Sequence, residues 1–261
     1  MPSRSPWTCV LWDVDGTIVD ASDGILRRLT IALEHFGKRP PTRAELVHWI
    51  GPPMYDSFQV NVGMTPEQAS EAVAFYRGLN KIDGYATGAK LFPGVGELIK
   101  DVAAAGIPQA TASSKPEVQV VALMDHFDLS TSLTAIVGAT ADERTLSAKS
   151  DIVAEALRRL AAAGVDTSRP VLVGDRHHDV EGGAAQGVPV IFVRWGFSWP
   201  HEAEGAQAVV EDVDQLRELL LVAGEPTGAD AGVAEEHARA ESAETAGRAA
   251  GASEPVGVAD A

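Results

Sequence analysis

The sequence predicts an α/β fold: a parallel sheet in a three-layer arrangement, interrupted early by an inserted block of helices. Three observations predict it. Short apolar, β-branched runs at residues 8–12, 107–112, 133–137, 171–173 and 188–193 alternate with segments of helical periodicity, the pattern of parallel strands joined by helical crossovers. No run between residues 22 and 89 reads as a strand, and helix-start signals recur there instead. Several of the apolar runs end in loops rich in acids or hydroxyls, where open α/β sheets place their ligands.

The first strand ends in Asp13-Val14-Asp15-Gly16-Thr17. Ser22 is expected to cap a helix carrying Ile25, Leu29, Leu33 and Phe36 on one face, stopped by Gly37. Thr42 with Glu45 reads as a capping box for a short helix to Trp49, broken by Gly51-Pro52-Pro53. Thr65-Pro66-Glu67-Gln68 repeats that device for a helix with Ala69, Val73, Phe75 and Tyr76. From Pro93 helix and strand alternate: helices at 93–105, 115–126 and 148–163, strands at 107–112, 133–137, 171–173 and 188–193. A short strand at 208–210 precedes a last helix at 213–221. The expected organisation is a core of residues 7–20 and 90–222, a helical cap at 21–89, and an acidic, disordered tail at 223–261.

The tail has no aromatic residue, and from Gly224 onward eight acids face two arginines, a composition that cannot offset the cost of ordering. The whole chain of 261 residues carries a net charge of -16, which argues against nucleic acid as a partner. Cys9 is the only cysteine, so no internal disulfide forms. The first six residues are too short and polar for a signal peptide, and no apolar stretch reaches membrane-spanning length. The expectation is a cytoplasmic protein with no membrane partner, a monomer or weak dimer.

Chemistry concentrates in four loops that parallel strands would open on one edge. They carry Asp13 and Asp15, then Ser113 and Ser114, then Lys149, then Asp175 and Asp179. Four carboxylates that close need compensation, and an oxygen-preferring cation such as magnesium is the simplest. A calcium loop is disfavoured because glycine falls fourth and no glutamate closes twelve residues. Arg176-His177-His178 is bulky and basic, and adjacent histidines without cysteine give a zinc reading little support. Thr111 is an alternative to Ser113 as the phosphate-binding hydroxyl, because Pro108 and Gln109 weaken the strand before it.

This ordered set resembles the haloacid dehalogenase-like superfamily of phosphohydrolases. The matching residues are Asp13-Val14-Asp15-Gly16-Thr17, Ser113, Lys149, Gly174-Asp175 and Asp179. Gly51-Pro52-Pro53, Tyr76-Arg77, Phe92-Pro93-Gly94-Val95 and Ser113-Ser114-Lys115-Pro116 look like its phosphoglycolate-phosphatase-like branch. The resemblance implies a Rossmann-like core and a magnesium-dependent phosphatase acting on a small phosphorylated metabolite. It implies Asp13 as nucleophile, Asp15 as general acid/base, and Ser113, Ser114 and Lys149 as phosphate ligands. It further implies magnesium held by Asp13, the Asp15 carbonyl and Asp175, with Asp179 orienting a metal water or Lys149. A phosphomutase on the same scaffold and a non-catalytic phosphate-ligand-binding regulator are the competing readings. Trp49, Met54, Tyr55, Phe58, Tyr76 and Arg77 either face the cleft or pack the cap, and Arg77 is a candidate anchor for a second anionic group.

Overall fold

A computed structural model describes residues 5–142 and 145–221. Strand β1 (Cys9–Trp12) lies at the centre because all four of its residues are apolar and buried, which suits a parallel strand covered on both faces. The chain leaves it through β2 (Val19–Asp20), helices α1 (Ser22–His35), α2 (Met54–Val62) and α3 (Pro66–Asp83), and returns through β3 (Lys90–Leu91). It continues as α4 (Val95–Ala104), β4 (Gln109–Thr111), β5 (Ser113–Pro116), α5 (Glu117–His126), β6 (Gly138–Ala139) and α6 (Lys149–Ala162). Then come β7 (Pro170–Gly174), α7 (His177–Ala185), β8 (Val190–Val193), β9 (Ala208–Val210) and α8 (Val213–Leu221).

The main sheet runs β4-β1-β7-β8-β9, every pair parallel. Beyond β4, a bridge from Ala110 to Ala135 and the parallel pair β5–β6 continue it. Alternate residues of β1 and β7 feed two cores. Val10, Trp12, Val171 and Val173 pack with Leu98, Ile99 and Leu216; Cys9, Leu11 and Leu172 pack with Ile152, Val153 and Leu160. That alternation makes the three layers. From β1 the sheet grows in both directions, so β1 and β7 flank the point where strand order reverses and a crevice opens at their carboxyl ends.

The inserted segment enters and leaves through the antiparallel pair β2–β3, with Val19 opposite Leu91 and Asp20 opposite Lys90. Two strands of two residues each leave no periodicity to read, so sequence reasoning missed them. It also missed α2, having read Pro53 only as a stop; Pro53 stands instead at the N-cap, where a missing N–H costs nothing. The Thr65 capping box is present. Thr42 and Glu45 exchange the expected bonds but start only a 3-10 turn, Glu45–His48. Ser22 does not cap α1: it is the first helical residue, and its N–H donates to Asp20 Oδ1 at 2.9 Å. Helix α5 begins at Glu117, because a residue preceding proline is driven from the α region and Pro116 therefore keeps Lys115 extended. The expected strand at 133–137 is reduced to the Ala110–Ala135 bridge, the regular pairing falling at Gly138–Ala139.

No helix among the described residues is long and apolar enough to cross a membrane. The expectations for residues 223–261 lie outside the described residues.

Gln109, expected to weaken β4, holds it. Its carboxamide accepts from Trp12 Nε1 at 2.9 Å and donates to the Ile99 and Ser132 carbonyls at 2.9 and 3.1 Å, fully buried. Gln109→Ala would leave the buried Trp12 Nε1 without this acceptor and remove the bonds to the Ile99 and Ser132 carbonyls. We expect a loss of about 2–4 kcal/mol, read as a lower urea midpoint at unchanged slope.

Candidate active site

The turn after β1 is tight: the Val14 carbonyl accepts from the N–H groups of Thr17, Ile18 and Val19. It presents Asp13 at the end of the strand, with the Asp13 N–H bound to the Val173 carbonyl of β7 at 2.9 Å. The neighbouring strand β7 ends directly in Asp175, and α7 places Asp179 one turn on. One carboxylate oxygen from each of Asp13, Asp175 and Asp179 lies within 4.8 Å of the other two, all three residues buried. The acids near the start of the chain and those 160 positions later therefore meet.

Lys149, the first residue of α6, is buried among them. Its Nζ stands 2.6 Å from Asp13 Oδ1 and 2.6 Å from Asp179 Oδ1. Burial would lower the ammonium pKa, but Asp13 and Asp179 outweigh it and the net shift is upward. Burial pushes Asp13 up while Lys149 pulls it back. Asp175 is driven well above the ordinary carboxylate range, first by burial and then by Asp13 and Asp179. Asp175 accepts from Thr17 Oγ1 at 3.1 Å and the Phe197 N–H at 2.7 Å, but no cation is paired with it among the described residues. One lysine against three buried acids leaves a negative surplus on hard oxygen ligands, and this donor set fits a magnesium-like ion.

Three glycines let the acids fit. A Cβ on Gly16, whose φ is +94°, would stand 2.2 Å from Asp175 Oδ2; one on Gly196 would stand 2.3 Å from the same oxygen. A Cβ on Gly174 would meet Asp179 Cγ at 2.3 Å.

Asp15 stands apart from the three. Its Oδ2 pairs with Lys115 Nζ at 2.6 Å, and its Oδ1 is buried without a hydrogen-bond partner. Both line a cleft roofed by Trp49, Ile50, Gly51, Pro52, Pro53, Met54, Tyr76 and Arg77, with Ser113, Ser114, Pro116 and Gln119 on its wall. Ser113 is buried and accepts from the Lys115 N–H at 3.3 Å. Ser114 lines both this cleft and an adjoining one that takes in Lys149, His178 and Glu181. Thr111 is excluded as an alternative: its hydroxyl donates to the Val137 carbonyl and accepts from the Val137 N–H, tying it into the sheet. Phe58 packs against Trp49 and Tyr55 against the core, so neither lines the cleft.

Two cations escaped the sequence reading. Lys115 belongs to the quoted Ser113-Ser114-Lys115-Pro116 motif, and the following proline was the signal for its extended backbone. Arg28 falls on the same face of α1 as Ile25 and Leu29; it is 3% exposed, its Nε lacks a partner, and its guanidinium meets the Tyr76 hydroxyl. His177 and His178 do come together, ring centroids 3.8 Å apart, and with Glu181 form a second donor group at the protein surface. Burial, then His177 and Arg176, hold His178 down at about 4.

With this geometry established, comparison places the chain. The family model for haloacid dehalogenase-like hydrolases matches residues 10–193. The chain is 35% identical over 225 residues to the tyrosine-protein kinase PtkA of Mycobacterium tuberculosis, covering 85% of this chain and 75% of that protein. A 5'-nucleotidase of Pseudomonas aeruginosa matches at 32% over 213 residues (81% and 94%), and a phosphoglycolate phosphatase of Cupriavidus necator at 31% over 226 residues (84% and 95%). Among solved structures, a predicted phosphatase from Clostridium acetobutylicum superposes with a TM-score of 0.75 at 30% identity, covering 82% of this chain and 98% of that one. By sequence, by architecture and by the order of its loop residues, the chain belongs to the haloacid dehalogenase-like hydrolases and groups with their phosphatases.

Proposed function

We propose that the protein is a magnesium-dependent phosphatase that hydrolyses a small phosphomonoester through an aspartyl-phosphate on Asp13. The observation that carries this reading is the buried meeting of Asp13, Asp175 and Asp179 around Lys149, beside an Asp15 that keeps one unpartnered oxygen. Lys149 on Oδ1 fixes the rotamer of Asp13 and leaves its carboxylate aimed from the end of β1. The carboxylate attacks phosphorus, the ester P–O bond breaks, and Asp15 gives its proton to the leaving alkoxide. Water then attacks phosphorus, Asp15 takes its proton, and the bond to Asp13 breaks to release phosphate.

Lys115 has a part in this cycle. Its ammonium pairs with Asp15 Oδ2 at 2.6 Å, and an incoming phosphoryl group competes for that ammonium. Ser113, Ser114 and Lys149 hold the phosphoryl oxygens, and Asp179, its two oxygens taken by Lys149 and the Arg176 N–H, orients that lysine. Asp13, Asp175 and the Asp15 carbonyl would hold magnesium, which would supply neutralisation of the phosphoryl charge. We read residues 21–89 as a cap whose roof keeps bulk water from the first step. Arg77 in that roof, with Arg28 behind it against Tyr76, favours substrates with a second anionic group, such as a carboxylate.

The likeness to a tyrosine-protein kinase supports a second reading in which the aspartyl-phosphate is passed to a hydroxyl; a phosphomutase does the same with a sugar. Phosphate release from para-nitrophenyl phosphate and phosphoglycolate separates these. Hydrolysis is expected with magnesium, lost on chelation and restored by the metal. Asp13→Asn is expected to lower kcat by about 10⁴-fold, and undiminished release by that variant would end the reading. No release by the wild-type protein would favour the regulator, and phosphate transfer without release the transferase. Gly16→Ala adds strain at positive φ and displaces Asp175, so kcat should fall by about 10²-fold, measured at saturating magnesium with near-UV circular dichroism to confirm folding.

A further inference from the structure

The bulky triplet between Asp175 and Asp179 is not used by the chemistry, yet its first member is buried and reaches the cap. Arg176 is 5% exposed. Its guanidinium forks onto Glu202, Nε to Oε2 at 2.7 Å and Nη2 to Oε1 at 3.2 Å, while Nη1 donates to the Ile50 carbonyl of the inserted segment. Its own N–H donates to Asp179 Oδ2 at 3.0 Å. Glu202 also accepts the His177 N–H at 3.2 Å, so the carboxylate that anchors the guanidinium is itself fixed to the start of α7.

The cap side is built to receive it. Gly51 has φ +110°, and a Cβ there would lie 3.1 Å from Arg176 Nη1 and 3.3 Å from its Cγ. Only a glycine lets the backbone turn this way so close to the arginine. Pro52 and Pro53 then stiffen the same stretch, which roofs the cleft over Asp13 and Asp15. Beside it the rings of His48 and Trp199 meet at 5.7 Å, a second contact between the insertion and the segment carrying Glu202.

We propose that Arg176 is a positioning residue that latches the Gly51-Pro52-Pro53 roof of the cleft to the loop carrying Asp175 and Asp179. The backbone of one residue thus sets Asp179 on the floor, and its side chain sets the roof above the substrate's leaving group. Because Asp179 is held by the backbone N–H, loss of the side chain releases the roof and leaves that bond in place. The kinetic consequence rests on the phosphatase reading; the mechanical one does not.

Arg176→Met tests it. With phosphoglycolate or whichever phosphomonoester the wild type hydrolyses, KM should rise by about tenfold while kcat stays within about threefold, a loss of uniform binding. Amide hydrogen exchange over residues 48–57 should quicken by about tenfold, with β7 unchanged. Arg176→Lys should rescue neither, because one ammonium cannot fork onto Glu202 and also reach Ile50. Glu202→Gln, which keeps an acceptor but loses the charge, should shift both readouts in the same direction and serves if Arg176→Met fails to fold. Unchanged exchange over 48–57 in a folded variant, or full rescue by lysine, overturns the proposal. A fall in kcat at unchanged KM would assign Arg176 a merely structural role and overturn it equally. If the protein proves not to hydrolyse phosphomonoesters, the exchange arm still decides the latch.

Discussion

The contact between Lys149 and the two carboxylates of Asp13 and Asp179 is the constraint on which the site depends. Three acids are withdrawn from water within 4.8 Å of one another, and one ammonium touches two of them. Removing one partner of such a buried set leaves an uncompensated charge, at a cost of about 3–5 kcal/mol. The negative surplus that the lysine leaves suits a divalent cation. Structure and chemistry are thus the same problem: the fold gathers more negative charge than its own cation balances.

The topology does the gathering. Because β1 and β7 are neighbours, residues 13 and 175 leave the sheet side by side. Glycines at 16, 174 and 196 let backbone approach the carboxylates to distances that any side chain would block. The acids cannot relax apart, since Asp13 is held by the Val173 carbonyl at its N–H and Asp175 by Thr17 and Phe197 at its oxygens. Rigid placement of like charges is costly to stability, and it recurs where that cost serves a ligand.

What was legible in the sequence was whatever is local. Asp13, Asp15, Asp175 and Asp179 sit within a few residues of apolar runs, so strand and loop could be read together, and parallel connection then brought the loops to one edge. The Thr65 box was legible because both of its halves lie within four residues. Elements whose existence depends on distant partners were not: β2 and β3 have two residues each and owe their form to one another. Gln109 looked like a flaw in β4 until Trp12, Ile99 and Ser132, far away in sequence, supplied its partners. Arg176 read only as bulky and basic for the same reason, since Ile50 and Glu202 are 126 and 26 residues away. Lys115 is the exception, because Pro116 beside it was a sufficient local signal that went unused.

Floor and roof therefore differ in what they can tell. The floor consists of charges in a fixed order, and the chain as a whole resembles proteins whose names include a nucleotidase, a phosphoglycolate phosphatase and a tyrosine kinase. On the proposed mechanism, an aspartyl-phosphate on Asp13 would be open to water and to a hydroxyl alike. On that mechanism the choice between water and a hydroxyl would fall to what the roof admits, and the roof here is made of Trp49, Gly51, Pro52, Met54, Tyr76 and Arg77. Their positions depend on packing between α1, α2 and α3 and on how firmly residues 50–53 are held to the core. On the proposed reading, selectivity in this chain would therefore be a mechanical property of the insertion before it is a matter of any single contact with substrate.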